Sequence, residues 1–476
     1  MSDTQTMEPD ASPRRIRTIA IIVAIALFMQ NLDSTVVTTA LPAMAKSFHV
    51  DPLYMSVSVT SYLIALSVFI PASGWVADRF GARQVFRISI VVFTLGSIFC
   101  GIAPNLLVLV AARVLQGIGG AMMLPVGRLL LLRSVSRSQM VSAMTWLTMP
   151  ALLGPVLGPP LGGLIVSVAS WRWVFGINVP IGVAGAIAVS LFIPDVREEG
   201  RGGHLDIFGL IYSGLAMALL MAGMETLGRG LVPLSWTLMA FAGGTGACLA
   251  YWFHARRADN PVLDLSLFKV ETFRVSVTAG SLFRVAVGAL PFLLPLMLQL
   301  GFGKSPFQSG LITFAAAAGA IAMKVAAVPS LDRFGFRAVL IWNGVVTAVA
   351  MALTAAFSPA WPPVLMSAVL FAAGFFRSLQ FTAFNTIAYG DIARPRMSAA
   401  TTLYTTVQQL SLTMGVVLGA ASLEISSRLS GHASPALSDY RAAFVAVSLI
   451  ALLGSPLCAR LSRTAGEALT HHPPAG

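Results

Sequence analysis

The chain has 476 residues, of which 56% are hydrophobic and 11% are charged. A soluble globular chain carries about 25% charged residues, so this composition excludes a soluble fold and indicates a protein embedded in a membrane. The formal net charge of +12 does not predict a nucleic-acid partner, because the cations lie in short segments between apolar stretches. The three cysteines and six histidines have no ligand spacing, so neither a metal nor a cofactor is predicted.

Fourteen apolar stretches have the length of about 20 residues that a membrane-spanning helix needs, and they predict an all-α membrane protein. The predicted spans are 18–40, 55–77, 85–104, 107–131, 142–168, 174–194, 205–224, 232–253, 274–300, 306–328, 336–357, 362–388, 399–425 and 440–461. The first stretch follows three arginines, as in a signal peptide, but Gln30, Asn31 and Asp33 interrupt it. We therefore predict a retained first helix.

The distribution of Lys and Arg predicts the orientation of these spans. If the N-terminus is inside, 21 of the 31 cations are cytoplasmic, 6 are outside and 4 lie within spans. Arg128, near the end of the fourth span, counts among the cytoplasmic ones. By the positive-inside rule, this asymmetry predicts a multi-pass protein of the cytoplasmic (inner) membrane with both termini in the cytoplasm.

A short motif occurs twice, which predicts an internal repeat. Asp78-Arg79-Phe80-Gly81-Ala82-Arg83 links spans two and three, and Asp332-Arg333-Phe334-Gly335-Phe336-Arg337 links spans ten and eleven. Repeated halves that bind substrate between them are typical of secondary transporters. The predicted domains are a tail (1–17), a six-helix bundle (18–194), a two-helix insertion with its loops (195–273), a second six-helix bundle (274–461) and a tail (462–476).

Five stretches together resemble one family over nearly the whole chain. They are Leu32–Pro42, Gly74–Arg83, Arg113–Gly120, Gly154–Gly163 and Trp171–Gly182. They resemble the major facilitator superfamily and, within it, the fourteen-helix drug:proton antiporter branch of the EmrB/QacA type. The resemblance implies the major facilitator fold and a transporter that exports small amphipathic compounds in exchange for protons by alternating access.

Asp33 and Arg113 are the candidate proton-coupling pair. Asp33 is roughly 22 Å from the start of span one and Arg113 roughly 9 Å from the start of span four. Because these spans run in opposite directions, both side chains fall in the outer half of the membrane and can face each other. A buried carboxylate beside a cation can exchange a proton when its surroundings change. The alternative is a static ion pair that joins two helices.

The resemblance implies that the repeated loops form a conformational gate. The gate residues are Gly74, Asp78, Arg79, Gly81 and Arg83, with Asp332, Arg333, Gly335 and Arg337 in the second copy. Plain anchoring by cytoplasmic cations is the alternative. In the second copy Val328 stands where the first has Gly74, so the gate is predicted with less support there.

Span five carries a repeat of small residues and prolines. Gly154, Gly158 and Gly162 recur every four residues and share one helix face, which lets two helices approach closely. Prolines bend a helix by removing hydrogen bonds. The resemblance implies an antiporter motif that seals the pathway against leak, and the alternative is an ordinary kinked packing helix. Its residues are Gly154, Pro155, Gly158, Pro159, Gly162 and Gly163.

The remaining polar side chains of the spans are candidates for a substrate cavity. They are Gln30, Asn31, Gln116, Arg284, Arg377, Gln380, Asn385, Gln408 and Gln409. The amides could instead bridge helices, and Lys324 is interpreted as reaching the cytoplasmic surface along its aliphatic stem. Spans nine to twelve hold no acid, so we hypothesise a basic second half that favours neutral or anionic substrates over dications.

The sequence predicts a transporter and not an enzyme. It has no phosphate-binding loop, nucleophile elbow or Cys-x-x-Cys motif. The predicted partners are a small amphipathic substrate, protons, the lipid bilayer and, as an open question, a periplasmic adaptor protein. One alternative is a metabolite uniporter or symporter of the same fold. A second, from another class, is a membrane-embedded lipid-modifying enzyme, which would need His, Asp or Glu clustered at one membrane face.

Overall fold

The computed structural model describes residues 13–50, 52–136, 139–151, 153–193, 206–226, 233–304, 306–432 and 435–469. Within these ranges the chain is helical and contains no strand, and a helix occupies each of the fourteen predicted spans. Eleven stretches of the described residues are long and apolar enough to cross a membrane, and one of them, Gln308–Ala356, covers two predicted spans. The prediction of an all-α membrane protein is confirmed.

The first half contains nine helices in the described ranges. They are α1 (Pro13–Phe48), α2 (Pro52–Phe69), α3 (Ser73–Phe80), α4 (Ala82–Gly101), α5 (Leu106–Arg133), α6 (Met140–Ala151), α7 (Leu153–Val168), α8 (Trp173–Gly176) and α9 (Asn178–Phe192). Helix α5 packs against α2 and α4, and α1 packs against α6 and α7. Residue 152, between α6 and α7, lies outside the described residues.

Two helices follow the first half, α10 (Ile207–Thr226) and α11 (Leu234–Ala255). The helices of the second half are α12 (Glu271–Leu296), α13 (Pro306–Ala338), α14 (Gly344–Ala352), α15 (Pro363–Gly390), α16 (Met397–Leu429) and α17 (Leu437–Cys458). Helices α10 and α11 pack on each other, and α10 also contacts α2 and α16. In the second half α12 packs against α16 and α17, and α13 packs against α15.

Several predicted spans and links differ from straight helices. The second span breaks at the 3₁₀ turn Ile70–Ala72, because Pro71 offers no backbone donor to a continuing helix. The two repeated loops turn at Gly81 (φ 85°) and Gly335 (φ 72°), a backbone region that glycine adopts without strain. The domain boundaries given above stay predictions.

The apolar cores show how the two halves meet. We call the end of the bundle that holds the start of α1 the predicted cytoplasmic face. Near this face one continuous core joins both halves, with Phe86 and Leu129 from the first and Phe273, Phe384 and Tyr404 from the second. Toward the opposite face each half has its own core. The halves are therefore closed against each other at the predicted cytoplasmic face.

Candidate functional site

A fully buried carboxylate lies inside the first half. Asp33 of α1 has 0% exposure and accepts hydrogen bonds from two neighbouring helices. Arg113 Nη1 of α5 donates to Asp33 Oδ2 at 2.6 Å. Gln116 Nε2 of α5 and Asn178 Nδ2 of α9 donate to Oδ1 at 2.9 and 2.8 Å. The expected juxtaposition of Asp33 and Arg113 is observed, and Gln116 joins this network.

The guanidinium of Arg113 is itself held in place. Its Nε donates to the Ser58 carbonyl at 3.0 Å and its Nη1 to Gln116 Oε1 at 2.6 Å, while the Tyr62 ring centre lies 4.4 Å from its central carbon. A buried ion pair has lost the hydration of both charges. A proton on Asp33 would therefore remove the only charge that balances Arg113 among the described residues.

The glycine repeat of span five lies directly against the turn of α1 that holds Asp33. A Cβ added at Gly154 would lie 2.9 Å from Asn31 Cβ, and one at Gly158 would lie 2.6 Å from Thr35 Cβ. Thr35 Oγ1 donates to the Gly154 carbonyl at 3.4 Å. Only residues without a side chain permit this approach.

The other members of that motif differ in their surroundings. Gly162 is buried, whereas Gly163 is exposed and a Cβ there would have nothing within 4 Å. The side chains of Pro155 and Pro159 lie outside the described residues. On α1, Gln30 is half-buried, and its Nε2 would lie 3.4 Å from a Cβ added at Gly120.

The first copy of the repeated loop joins the two halves. Asp78 accepts from Arg133 Nη2 of its own half at 3.0 Å, and from the Ser398 hydroxyl of α16. The hydroxyl oxygens of Ser73 and Thr402 are 3.1 Å apart. A Cβ added at Gly74 would lie 2.6 Å from Thr402 Oγ1. Helix α3 is therefore held tightly on α16 at the predicted cytoplasmic face.

The remaining cations of the two loops act within their own halves. Arg83 donates to the Ser190 carbonyl, and Arg79 is exposed without a polar partner among the described residues. In the second copy Arg337 Nη2 donates to the Ala459 carbonyl at 3.1 Å, and Arg333 lies 5.6 Å from the Phe334 ring centre. Asp332, at the same turn, is half-buried.

The candidate cavity residues of the second half have unequal surroundings. Gln380 bridges helices, because it donates to the Leu340 carbonyl at 2.9 Å and accepts from Asn343 at 2.8 Å. Asn385 is 1% exposed, and neither atom of its amide has a partner among the described residues. Gln409 and Arg377 are half-buried, and Arg377 has no polar partner in the described ranges.

Lys324 does not reach the surface. It is 6% exposed, and its Nζ donates to Thr382 Oγ1 of α15 at 2.8 Å. The interpretation that its stem carries the amine to the cytoplasmic side was wrong. The physical reason is that α13 packs closely on α15, which covers the amine and offers it a hydroxyl.

A second buried group of cations lies between the halves, and sequence reasoning missed half of it. Arg128 was counted among the cytoplasmic cations, but it is 2% exposed. It donates to the Tyr389 hydroxyl at 3.1 Å and to Gln408 Oε1 at 3.4 Å. Arg284 donates to the Tyr404 hydroxyl. The available signal was that Arg128 follows Arg113 in one helix by about four whole turns, which puts both on one face.

The chain is similar in sequence to members of one transporter family. The family model described as Major Facilitator Superfamily matches residues 23–282 and 276–474. A protein of Serratia proteamaculans, provisionally named multidrug resistance protein MdtD, is 40% identical over 466 residues, which is 96% of each chain. The protein of that name from Salmonella typhimurium is 41% identical over 399 residues, 83% of this chain and 84% of its own.

Two solved structures share the fold at low sequence identity. The human organic anion transporter MFSD10 (TETRAN) superposes with a TM-score of 0.69 at 15% identity, over 93% of this chain and 99% of its own. The proton:xylose symporter XylE superposes with a TM-score of 0.67 at 15% identity, over 96% of this chain and 98% of its own. These findings confirm the predicted major facilitator fold, and they confirm a transporter rather than an enzyme.

Proposed function

The chain belongs to the Major Facilitator Superfamily, and from this premise we propose that it exports small amphipathic compounds of the multidrug type in exchange for protons, by alternating access. The names of its relatives support the substrate class. The single observation that carries the proton coupling is the Asp33 carboxylate, fully buried and hydrogen-bonded to Arg113, Gln116 and Asn178. An ionisable group inside a membrane-spanning bundle is expensive and marks a functional site.

Asp33 carries the proton in this proposal. In its charged form it attracts Arg113 and accepts from both amides. A proton on Oδ2 turns that oxygen into a donor and removes the charge, so the contact with Arg113 at 2.6 Å is lost. Because Asn31 and Thr35 of α1 lie against Gly154 and Gly158, a shift of α1 that follows is passed to α7.

The gate and the orientation complete the cycle. Asp78 with Ser398 and Arg133 stabilises the form that is closed at the predicted cytoplasmic face, and uptake of substrate requires α3 to leave α16. The excess of Arg and Lys on one side supports a place in the cytoplasmic membrane with both termini inside. A periplasmic adaptor protein would then meet the opposite face.

Substrate-induced proton movement in inside-out vesicles tests the proposal. Vesicles are acidified inside, a pH-sensitive dye reports the gradient, and a panel of amphipathic drugs is added. We expect proton release with the wild type and with D259N, which changes an exposed acid. Release by D33N should fall at least tenfold, since loss of a buried charge–charge contact costs several kcal/mol.

The outcomes of this experiment test the role of Asp33 and the multidrug substrate class separately. Full drug-induced release by D33N would contradict the role of Asp33. If no drug releases protons while a metabolite exchanges across the vesicle membrane, the multidrug assignment fails and the metabolite transporter takes its place. The fold does not decide between the two, because a proton:xylose symporter shares it.

A further inference from the structure

Two buried arginines from different halves both lie near one tyrosine ring. Arg128 of α5 is 2% exposed and Arg284 of α12 is 1% exposed. Their central guanidinium carbons are 5.5 and 4.7 Å from the centre of the Tyr404 ring. Both side chains keep their charge, because arginine is not deprotonated in proteins. Two positive charges are thus gathered where the two halves meet.

Neutral groups alone hold these charges in the described part of the chain. The acceptors are the Tyr389 hydroxyl and Gln408 Oε1 for Arg128, and the Tyr404 hydroxyl for Arg284. Arg113, by contrast, has the carboxylate of Asp33. A buried charge without an opposite charge is strongly destabilising. Stability of the fold therefore does not explain why the two arginines are buried here, and a function does.

Several buried polar atoms of this cluster also lack a hydrogen-bond partner among the described residues. They are Nε of Arg128, Nε of Arg284 and both amide atoms of Asn385. Asn385 precedes Tyr389 by one helical turn, so the two side chains share a face of α15. Buried polar groups are nearly always bonded. The three donors among these atoms, Nε of each arginine and Nδ2 of Asn385, point to an anionic ligand, and Asn385 Oδ1, an acceptor, does not take part in that argument.

The position of the cluster tells when such a ligand can enter. The bonds from Arg128 to Tyr389 and Gln408 cross from the first half to the second. They lie in the core that closes the predicted cytoplasmic face. When the halves part at that face, Arg128 loses both acceptors, and Arg128 and Arg284 become accessible from the cytoplasm.

We propose that Arg128 and Arg284 together bind the anionic group of the exported substrate, a carboxylate, sulfonate or phosphate on an aromatic or aliphatic body. Guanidinium forks bind such groups through paired, charge-assisted hydrogen bonds. The site selects anions over cations of the same shape, because an ammonium group would face two like charges. This inference rests on the proposed function, since it assumes a substrate taken up from the cytoplasm.

Matched aromatic probes test the inference on purified full-length protein. The anions are naphthylacetate, naphthalenesulfonate and naphthyl phosphate, and the cation is naphthylethylammonium. Binding is read from the rise in unfolding temperature with probe concentration. We expect at least one anion to stabilise the wild type, and to bind at least tenfold more weakly to R128Q and R284Q, because each variant loses charge-assisted hydrogen bonds to the anion. R87Q, which removes an exposed arginine of α4, should bind like the wild type.

The lysine variants R128K and R284K distinguish loss of the anion site from loss of the fold. R128K and R284K retain the charge, so they should fold, keep part of the anion binding and still reject the ammonium probe. Equal anion binding by wild type and R284Q, or no stabilisation by any of the three anions, overturns the inference. If the cation drives proton release through Asp33 while R128Q and R284Q release protons normally, the proposed function stands and this inference fails. If anion binding needs both arginines but no probe moves protons, the proposed function fails instead.

Discussion

The three side-chain donors to Asp33 among the described residues belong to the first half of the chain, so its charge acts on the packing of α1 with α5 and α9. Ser97 of α4 supports the two amides, since Gln116 and Asn178 both donate to its hydroxyl, at 2.8 and 3.2 Å. The network is therefore built inside one bundle. A change of protonation reaches the contact between the halves only by moving helices of the first half.

Replacing Asn178 by leucine tests how much the network depends on its amide. N178L removes the donor at 2.8 Å and keeps a similar volume. A hydrogen bond to a charged group is worth about 1.5–3 kcal/mol, so substrate-induced proton release in proteoliposomes should fall roughly tenfold or more. S97A touches the same amides but not the carboxylate and should have a smaller effect. A normal rate for N178L would show that this bond does not contribute to coupling.

In the two buried polar clusters, the sequence predicted the Asp33–Arg113 pair better than it predicted the neutral groups or Arg128. Asp33 and Arg113 could be identified because a charge in hydrocarbon is so costly that it needs a partner and a purpose. Asn178 and Tyr404 could not, since amides and hydroxyls are common in membrane helices and the sequence does not show which faces meet. Arg128 was missed because it lies near the end of its helix, where most arginines face the cytoplasm.

At the scale of helices, the contact of α7 with α1 depends on the absence of side chains. Gly158 lies against Thr35, and Gly163 on the same helix faces open space. G158V should push α7 away from the Asp33 turn and reduce substrate-induced proton release at least tenfold, because a clash in a packed core costs about 1–3 kcal/mol. G163A is the matched control and should transport normally. Equal rates for the two variants would contradict a role for this close contact.

Hydropathy predicted where helices lie but not how they bend. A window of apolar residues identified α12 and α14, yet the π-helical segments Met297–Gly301 and Val339–Asn343 have no signature of their own. The first of them follows Pro291 and Pro295, which cannot donate to the helical ladder and loosen it. The second has no proline inside it, and only packing against α15 and α17 distinguishes it.

At the scale of the whole molecule, the two ends of the bundle differ in how the halves are packed. At one end a single apolar core joins both halves, and at the other end each half has a core of its own. The shared core and the bonds from α16 to α3 and α5 lie at the predicted cytoplasmic face. Opening that face breaks polar contacts and exposes apolar surface, so the open form needs compensating interactions of its own. An anion at Arg128 and Arg284, and a change of charge at Asp33, each supply part of that compensation.

A cross-link between α3 and α16 tests whether this face must open in each cycle. The hydroxyl oxygens of Ser73 and Thr402 are 3.1 Å apart, close enough for cysteines at these positions to form a disulfide, whose Cβ atoms lie about 3.5–4.5 Å apart. Cys248 is exposed and Cys100 and Cys458 are buried, so the double variant S73C/T402C is made with C248S. Oxidation should abolish substrate-induced proton release, and reduction should restore it. The two single-cysteine variants should not respond, and full activity of the cross-linked protein would show that α3 and α16 stay together during transport.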